Sequence, residues 1–246
     1  MPRRIYPKPP IVEALMEFRF MSAVDARSLA EQLRDRLGER YDAPVTQFDL
    51  FQLQATAHAG GGMSTAATRQ PDMFFLSSAS GHRRIGCGSS VLTIHTLAPY
   101  PGWESFVEQA ADAIAALPAS VAEAQVGVLA IRYIDLIRLP LGEAIVDYIP
   151  IVPPCPAAMP PHITNYQYLT QTQDPDDGTT VQLMVAMAPS PTEEDHALWL
   201  DLALTKRVNG MSFLELAWLP EMEILHGRLR DIFETSITDA ARELFQ

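Results

Sequence analysis

Apolar and polar residues alternate along residues 12–20, where five apolar positions are separated mainly by glutamate and arginine. A period of two is typical of a strand with one buried face. The same alternation, or a short apolar run, predicts further strands at 51–56, 73–77, 82–87, 91–97, 126–139, 163–172, 180–187 and 196–205. Apolar residues at helical spacing predict helices at 26–37, 103–117, 141–149 and 225–237.

Glycine and proline mark the breaks between these elements. Residues 57–70 are rich in glycine and small polar residues and are predicted to form a flexible loop or an insertion. Half of the residues in 150–161 are proline, which excludes regular helix and a central strand. Asn209-Gly210 is predicted to form a turn, and Ser212 with Glu215 has the spacing of a capping box at a helix start.

The element order is β-α-β-β-β-β-α and then again β-α-β-β-β-α. This order predicts an α+β fold of two tandem β-α-β(3–4)-α halves, residues 1–118 and 119–246, with 150–161 as a proline-rich connector. We expect the halves to form one compact unit that shares a mostly antiparallel sheet with helices on one face. The arrangement resembles the TATA-binding-protein-like and helix-grip folds, an analogy that carries no function.

Composition and charge restrict the classes of partner and the cellular location that we expect for the protein. The net charge of −12 argues against nucleic-acid binding, which requires a basic surface. No apolar run approaches the ~20 residues that span a bilayer, and no signal sequence is recognisable. The two cysteines, Cys87 and Cys155, are too few for a disulfide framework. We therefore predict a cytoplasmic protein without membrane association.

Three segments resemble a sporadically distributed bacterial family of uncharacterised proteins: YPKPPIVEALMEFRF at 6–20, IRYID at 131–135, and the closing helix from Leu225-His226 to Thr238. The resemblance spans nearly the whole chain and implies a single full-length unit. It implies no activity, although the patchy distribution of the family suggests a mobile-element or defence context. Asp135 stands where the family pattern has asparagine, which bears on any role that needs a neutral amide there.

Three arginines are predicted to lie on the sheet face opposite the helices. Arg19 and Arg132 fall between the apolar positions of their strands, and Arg138 shares the face of Arg132. Guanidinium groups match planar oxyanions, so the three are candidates to bind a carboxylate or a phosphate. The alternative is that they form cross-strand salt bridges with residues such as Glu17.

Two weaker patterns are typical of enzymes. Glu223 and His226 lie three residues apart on the last predicted helix, which is half of a di-metal motif whose second copy is missing. Cys87 lies between two glycines and would be a nucleophile if His82 or His95 served as its base. A structural histidine and a buried cysteine are the alternatives.

These patterns favour a non-enzymatic binding module for a partner protein or a small anionic ligand, anchored by Arg19, Arg132 and Arg138. The alternative is an enzyme with a site in the groove between the halves that uses His226 and Glu223, or Cys87. No cofactor and no metal are predicted. An exposed edge strand makes a homodimer the expected assembly if the chain self-associates.

Overall fold

The computed structural model describes residues 4–48, 51–57, 63–69, 73–140, 142–151, 156, 158–159, 165–188 and 196–246, with only the backbone described at 51–57, 63–69 and 196. Most of the proline-rich connector 150–161, including Cys155, lies outside the described residues.

The strands and helices follow the predicted order with several additions. The strands are β1 (Ile11–Phe20), β2 (Thr46–Phe48), β3 (Phe51–Ala57), β4 (Met63–Arg69), β5 (Met73–Ser77), β6 (Arg83–Gly88), β7 (Val91–Leu97), β8 (Gln125–Leu139), β9 (Gln167–Gln173), β10 (Thr180–Met187) and β11 (His196–Ser212). The helices are α1 (Ala26–Leu37), α2 (Trp103–Ala115), α3 (Ala119–Ala122), α4 (Ile145–Tyr148), α5 (Trp218–Ser236) and α6 (Asp239–Glu243), with a 3₁₀ turn at Gly38–Tyr41.

Nine of these strands form one sheet in the order β2-β5-β6-β7-β1-β8-β11-β10-β9. Every neighbouring pair in it is antiparallel. Strands β3 and β4 pair separately with each other. The α+β class and the large antiparallel sheet are therefore confirmed.

The pair of β1 and β8 lies at the centre of the sheet. On one side of it β1 is followed by β7, β6 and β5, and on the other side β8 is followed by β11, β10 and β9. In both sets the first strand in the chain therefore lies beside the last. The interpretation of the two sets as tandem repeats stays a prediction.

The long helices cover one face of the sheet. The Arg27 guanidinium of α1 lies 4.8 Å from the ring centre of Phe74 on β5, and Trp218 of α5 packs edge-on against Phe18 of β1. Because alternate residues of a strand face opposite sides, Met16 and Phe18 are buried beneath the helices while Glu17 and Arg19 face the other way. We call this opposite side the open face of the sheet.

Helix α1 begins where the sequence predicts. The side chain of Asp25 accepts a hydrogen bond of 3.0 Å from the backbone N–H of Ser28, which is the geometry of an N-cap. Gly38 ends the helix with a φ of +56°, a conformation that favours glycine.

Three local predictions are wrong. Residues 63–69 are not a loop but strand β4, while 58–62 lie outside the described residues. Asn209-Gly210 does not end a strand, because β11 continues to Ser212 and accommodates Gly210 at a register shift with a φ of +62°. Ser212 and Glu215 do bond through their side chains, but α5 begins only at Trp218.

Gly86 is the position on the open face where an added methyl group has the least room. A Cβ there would lie 2.3 Å from Thr93 Oγ1 and 2.7 Å from Phe75 Cε1. We expect Gly86→Ala to lower the free energy of unfolding by about 1–2 kcal/mol, because two packed strands must move apart. Urea denaturation followed by circular dichroism measures this change.

The matched control is Gly227→Ala, the same substitution inside α5. A Cβ at Gly227 meets open space, so the substitution should stabilise the protein by about 0.5–1 kcal/mol through helix propensity. Equal unfolding free energies for the two variants would contradict the packing described around Gly86.

Candidate functional site

Arg19 and Arg132 lie on the open face, each next to a carboxylate. Arg19 forms an ion pair with Glu17 of its own strand, and Arg132 forms a two-pronged ion pair with Asp201 of β11. Asp201 is buried, whereas Arg132 remains about two-fifths exposed. The cross-strand salt bridge that sequence reasoning offered as the alternative is therefore present for Arg132, whereas the Arg19–Glu17 pair lies within one strand.

The structure does not bring the three arginines together. Arg19 lies opposite Val128 of β8, and Val128 is ten positions from Arg138 on that strand. At ~3.3 Å per residue, Arg19 and Arg138 are separated by roughly 33 Å along the sheet. Arg138 is exposed. A single small ligand does not span this distance.

A buried polar network on the open face was not anticipated from the sequence. His95 Nδ1 lies 2.7 Å from Glu13 Oε1, and His95 Nε2 lies 2.8 Å from Thr93 Oγ1. The hydrogen bond to His95 lowers the pKa of Glu13, against the opposing effect of burial. Thr93 and His95 are both buried, so the network joins β1 to β7 instead of presenting a hydroxyl nucleophile to solvent.

Cys87 does not have the surroundings of a nucleophile. It is fully buried on the helix-covered face, and burial raises its pKa to about 12. Its register partner is Leu92, whereas His95 belongs to the alternate set of β7 residues on the open face. The sheet itself therefore separates this thiol from the proposed base, and the exposed His82 lies in the turn before β6.

Glu223 and His226 also point in different directions. Glu223 is exposed, while His226 is buried and stacks on Trp103 with a centroid distance of 3.9 Å. The other neighbour of the imidazole is Tyr133, at 5.9 Å. Within the described part of the chain, no three His, Cys, Asp or Glu side chains are placed to hold a metal ion.

A cavity of about 440 Å³ lies near these candidates on the helix-covered side, and we call it the cleft. Its walls come from residues 4–7 and 9–11, the start of α2, the middle of β8 and the second half of α5. The predicted halves both contribute to it. Aromatic side chains make up much of the lining: Tyr6, Tyr100, Trp103, Tyr133 and Phe233.

Asp135 contributes to the floor of the cleft. The residue is 1% exposed, and neither carboxyl oxygen has a hydrogen-bond partner among the described residues. Burial, with a smaller effect from the charge of Asp201, raises the pKa of Asp135 well above its ordinary value. Burial therefore favours the neutral carboxylic acid over the carboxylate at this point.

The strand pattern explains how an acid reaches this position. On β8 the helix-facing row is Leu129, Ile131, Tyr133, Asp135 and Ile137, so the acid takes one place in an otherwise apolar or aromatic row. The adjacent Tyr133 hydroxyl is 2.8 Å from that of Tyr100, and burial raises its pKa.

The charges at the mouth of the cleft are mostly paired. Glu234 accepts hydrogen bonds from Arg242 at 3.0 Å and from the Tyr6 hydroxyl at 2.8 Å. Arg4 lies 4.0 Å from Asp239. Arg230 lines the cleft close enough to Tyr133 to influence its pKa, and no described carboxylate forms an ion pair with it.

The first turn of α2 opens onto the same space. Its N-cap residue is Gly102, so no side chain caps the backbone N–H groups of that turn. Gly102, Trp103 and Glu104 all line the cleft, and Glu104 is exposed at its mouth. The start of the helix carries a partial positive charge, which adds to the positive charge of Arg230. The negative charge of the Glu104 carboxylate opposes both.

Sequence reasoning named neither Asp135 nor Arg230 as a site residue, and it noted Asp135 only as a departure from the asparagine of the resemblance. The signal for Asp135 was its place in the apolar row of β8. No comparable signal existed for Arg230, because an arginine on the exposed flank of a helix is ordinary.

No protein-family model matches the chain, and no curated protein is significantly similar to it. The resemblance drawn from the three sequence segments stays a prediction.

Proposed function

We propose that this chain is a cytoplasmic, non-enzymatic binding protein whose cleft holds a small organic anion. The observation that carries the proposal is Arg230, a guanidinium that lines a cavity of about 440 Å³ without a described carboxylate partner. Within the described residues, no helix has the length and apolar character needed to cross a bilayer.

The size and lining of the cleft favour a small molecule. Ligand sites commonly occupy ~300–1,000 Å³ and combine apolar walls with a few polar groups, which agrees with the aromatic lining and the Arg230 guanidinium. The forked donors of Arg230 match a carboxylate in geometry as well as charge. The uncapped start of α2 supports the same sign of ligand charge.

The geometry favours binding over catalysis. Cys87 and Glu223 do not reach the cleft, which leaves His226 as the remaining catalytic candidate there. Its ring lies between Trp103 and Tyr133, a setting typical of a packed side chain. The enzyme hypothesis therefore has less support than it had from sequence.

The partner-protein form of the hypothesis depends on the open face. Arg19 and Arg132 are already paired there, while Arg138 and Leu169 are exposed. A protein partner, or a second copy of the chain along the edge strand β9, stays a prediction with less support than ligand binding in the cleft.

The proposal is tested with a matched pair of probes, 3-phenylpropionate and its neutral carboxamide. We expect the carboxylate to bind at least about 10-fold more tightly, since only it forms an ion pair with Arg230. NMR titration of ¹⁵N-labelled protein measures both affinities and shows whether the affected amides surround the cleft.

Variants assign the preference to one side chain. Arg230→Gln should abolish the preference for the carboxylate, whereas Arg228→Gln should keep it. Arg228→Gln is the control because it removes the same charge from the same helix. The Arg228 side chain pairs with Asp174 and Asp177 outside the cleft. Equal binding of the two probes, or an unchanged preference in Arg230→Gln, would reject the proposal.

A further inference from the structure

Two ionisable groups of the cleft lack a counter-charge among the described residues once the ion pairs at its mouth are assigned. Arg230 forms no ion pair with a described carboxylate, and Asp135 has no described hydrogen-bond partner. No hydrogen bond joins the two groups, because neither carboxyl oxygen of Asp135 has a hydrogen-bond partner in the described part of the chain. The described lining of the cleft therefore has one guanidinium without an ion-pair partner, that of Arg230, and one carboxyl group without a hydrogen-bond partner, that of Asp135.

The surroundings of Asp135 favour a cation as its missing partner. A buried carboxyl with two unpaired oxygens is costly, and a ligand ammonium group supplies both hydrogen-bond donors and the opposite charge. Aromatic faces attract cations as well, and Tyr100, Trp103 and Tyr133 all line the cleft with Asp135.

We propose that the ligand is a small zwitterion, with its ammonium group against Asp135, its carboxylate against Arg230 and an apolar or aromatic body between the rings of the cleft. This inference rests on the proposed function and adds the second recognition element. It specifies amino-acid-like compounds in preference to simple organic acids.

Binding has a defined proton balance. In the free protein the carboxyl of Asp135 carries a proton; when the ammonium group arrives, the O–H bond breaks and that proton passes to the buffer. What remains is a carboxylate–ammonium pair. Among the described residues, the other charged or titratable groups around Asp135 are Asp201 through the sheet, His226, Arg230 and Glu234 of α5, Glu104 of α2, Tyr6, Tyr100, Tyr133 and Arg4.

Isothermal titration calorimetry tests the inference with L-phenylalanine, which differs from 3-phenylpropionate only by its ammonium group. We expect L-phenylalanine to bind at least about 10-fold more tightly. Parallel titrations in phosphate and Tris, whose ionisation enthalpies differ, should show release of about one proton per ligand. 2-Phenylethylamine, which lacks the carboxylate, should bind more weakly than L-phenylalanine.

Asp135→Asn should remove both the advantage of L-phenylalanine and the proton release, because an amide side chain cannot ionise. Asp231→Asn is the control, as it changes the same residue type on the exposed side of α5, outside the cleft. Circular dichroism melting curves of both variants establish that they are folded.

The two proposals fail in different ways. If 3-phenylpropionate binds through Arg230 but L-phenylalanine binds no better, the zwitterion is wrong and the anion site stands. The zwitterion is equally wrong if L-phenylalanine releases no proton, or if Asp135→Asn keeps its advantage. If 3-phenylpropionate and L-phenylalanine both fail to bind up to about 10 mM, both proposals are overturned.

Discussion

Arg132→Ala is expected to lower the free energy of unfolding by about 2–3 kcal/mol. The substitution leaves the buried carboxylate of Asp201 without its cationic partner, which costs about 3–5 kcal/mol in fully buried pairs; the partial exposure of Arg132 reduces this. Urea denaturation at pH 7 measures the change.

Two further variants separate the ion pair from simple truncation. Arg132→Ala combined with Asp201→Ala should recover much of the loss, because the unpaired charge is gone. Arg19→Ala, on the neighbouring strand, should cost no more than about 0.5 kcal/mol, since the Arg19–Glu17 pair is more exposed. Similar losses for Arg19→Ala and Arg132→Ala would show that Asp201 does not depend on its partner.

Asp135→Asn is expected to raise the free energy of unfolding at pH 7 by about 1–3 kcal/mol, because a buried carboxyl without partners is replaced by a group that does not ionise. The direction in which this stability difference changes with pH follows from the raised pKa of Asp135. The folded protein keeps a proton that the unfolded chain releases above about pH 4, so the parent protein loses stability relative to the variant as pH rises.

The measurement is the difference between the unfolding free energies of parent and variant from pH 3 to 8. The gain should be small below about pH 4, where Asp135 is protonated in both states, and grow toward neutral pH. Asp231→Asn, at an exposed position, should change stability by less than about 0.5 kcal/mol at pH 7. A difference that does not vary with pH would contradict a neutral Asp135.

The sequence pattern predicted the sheet better than the cleft, for a physical reason. Strand periodicity is local, so 12–20 and 180–187 could be identified from consecutive residues and agree with Ile11–Phe20 and Thr180–Met187. Asn209-Gly210 misled because a bulge and a turn both use glycine at positive φ, and only the partner strand decides between them.

The cleft depends on contacts between distant segments. Tyr6, Tyr100, Asp135 and Arg230 are far apart in the chain, and no local spacing indicates that they share one cavity. For the open-face arginines, the sequence predicted the face of the sheet but not the partners or the distances. Their common face was readable from alternation, but their carboxylate partners and the roughly 33 Å between Arg19 and Arg138 followed only from strand register.

The central strand β8 carries Arg132 on one side and Asp135 on the other, three residues apart. The charge of Asp201, held by Arg132 on the open face, already reaches Asp135 through the thickness of a single sheet. Any event that draws Arg132 away from Asp201 would leave that negative charge unshielded and raise the pKa of Asp135 further, so that the acid would give up its proton less readily to an arriving cation. The two faces are thus electrostatically coupled without any movement of the backbone.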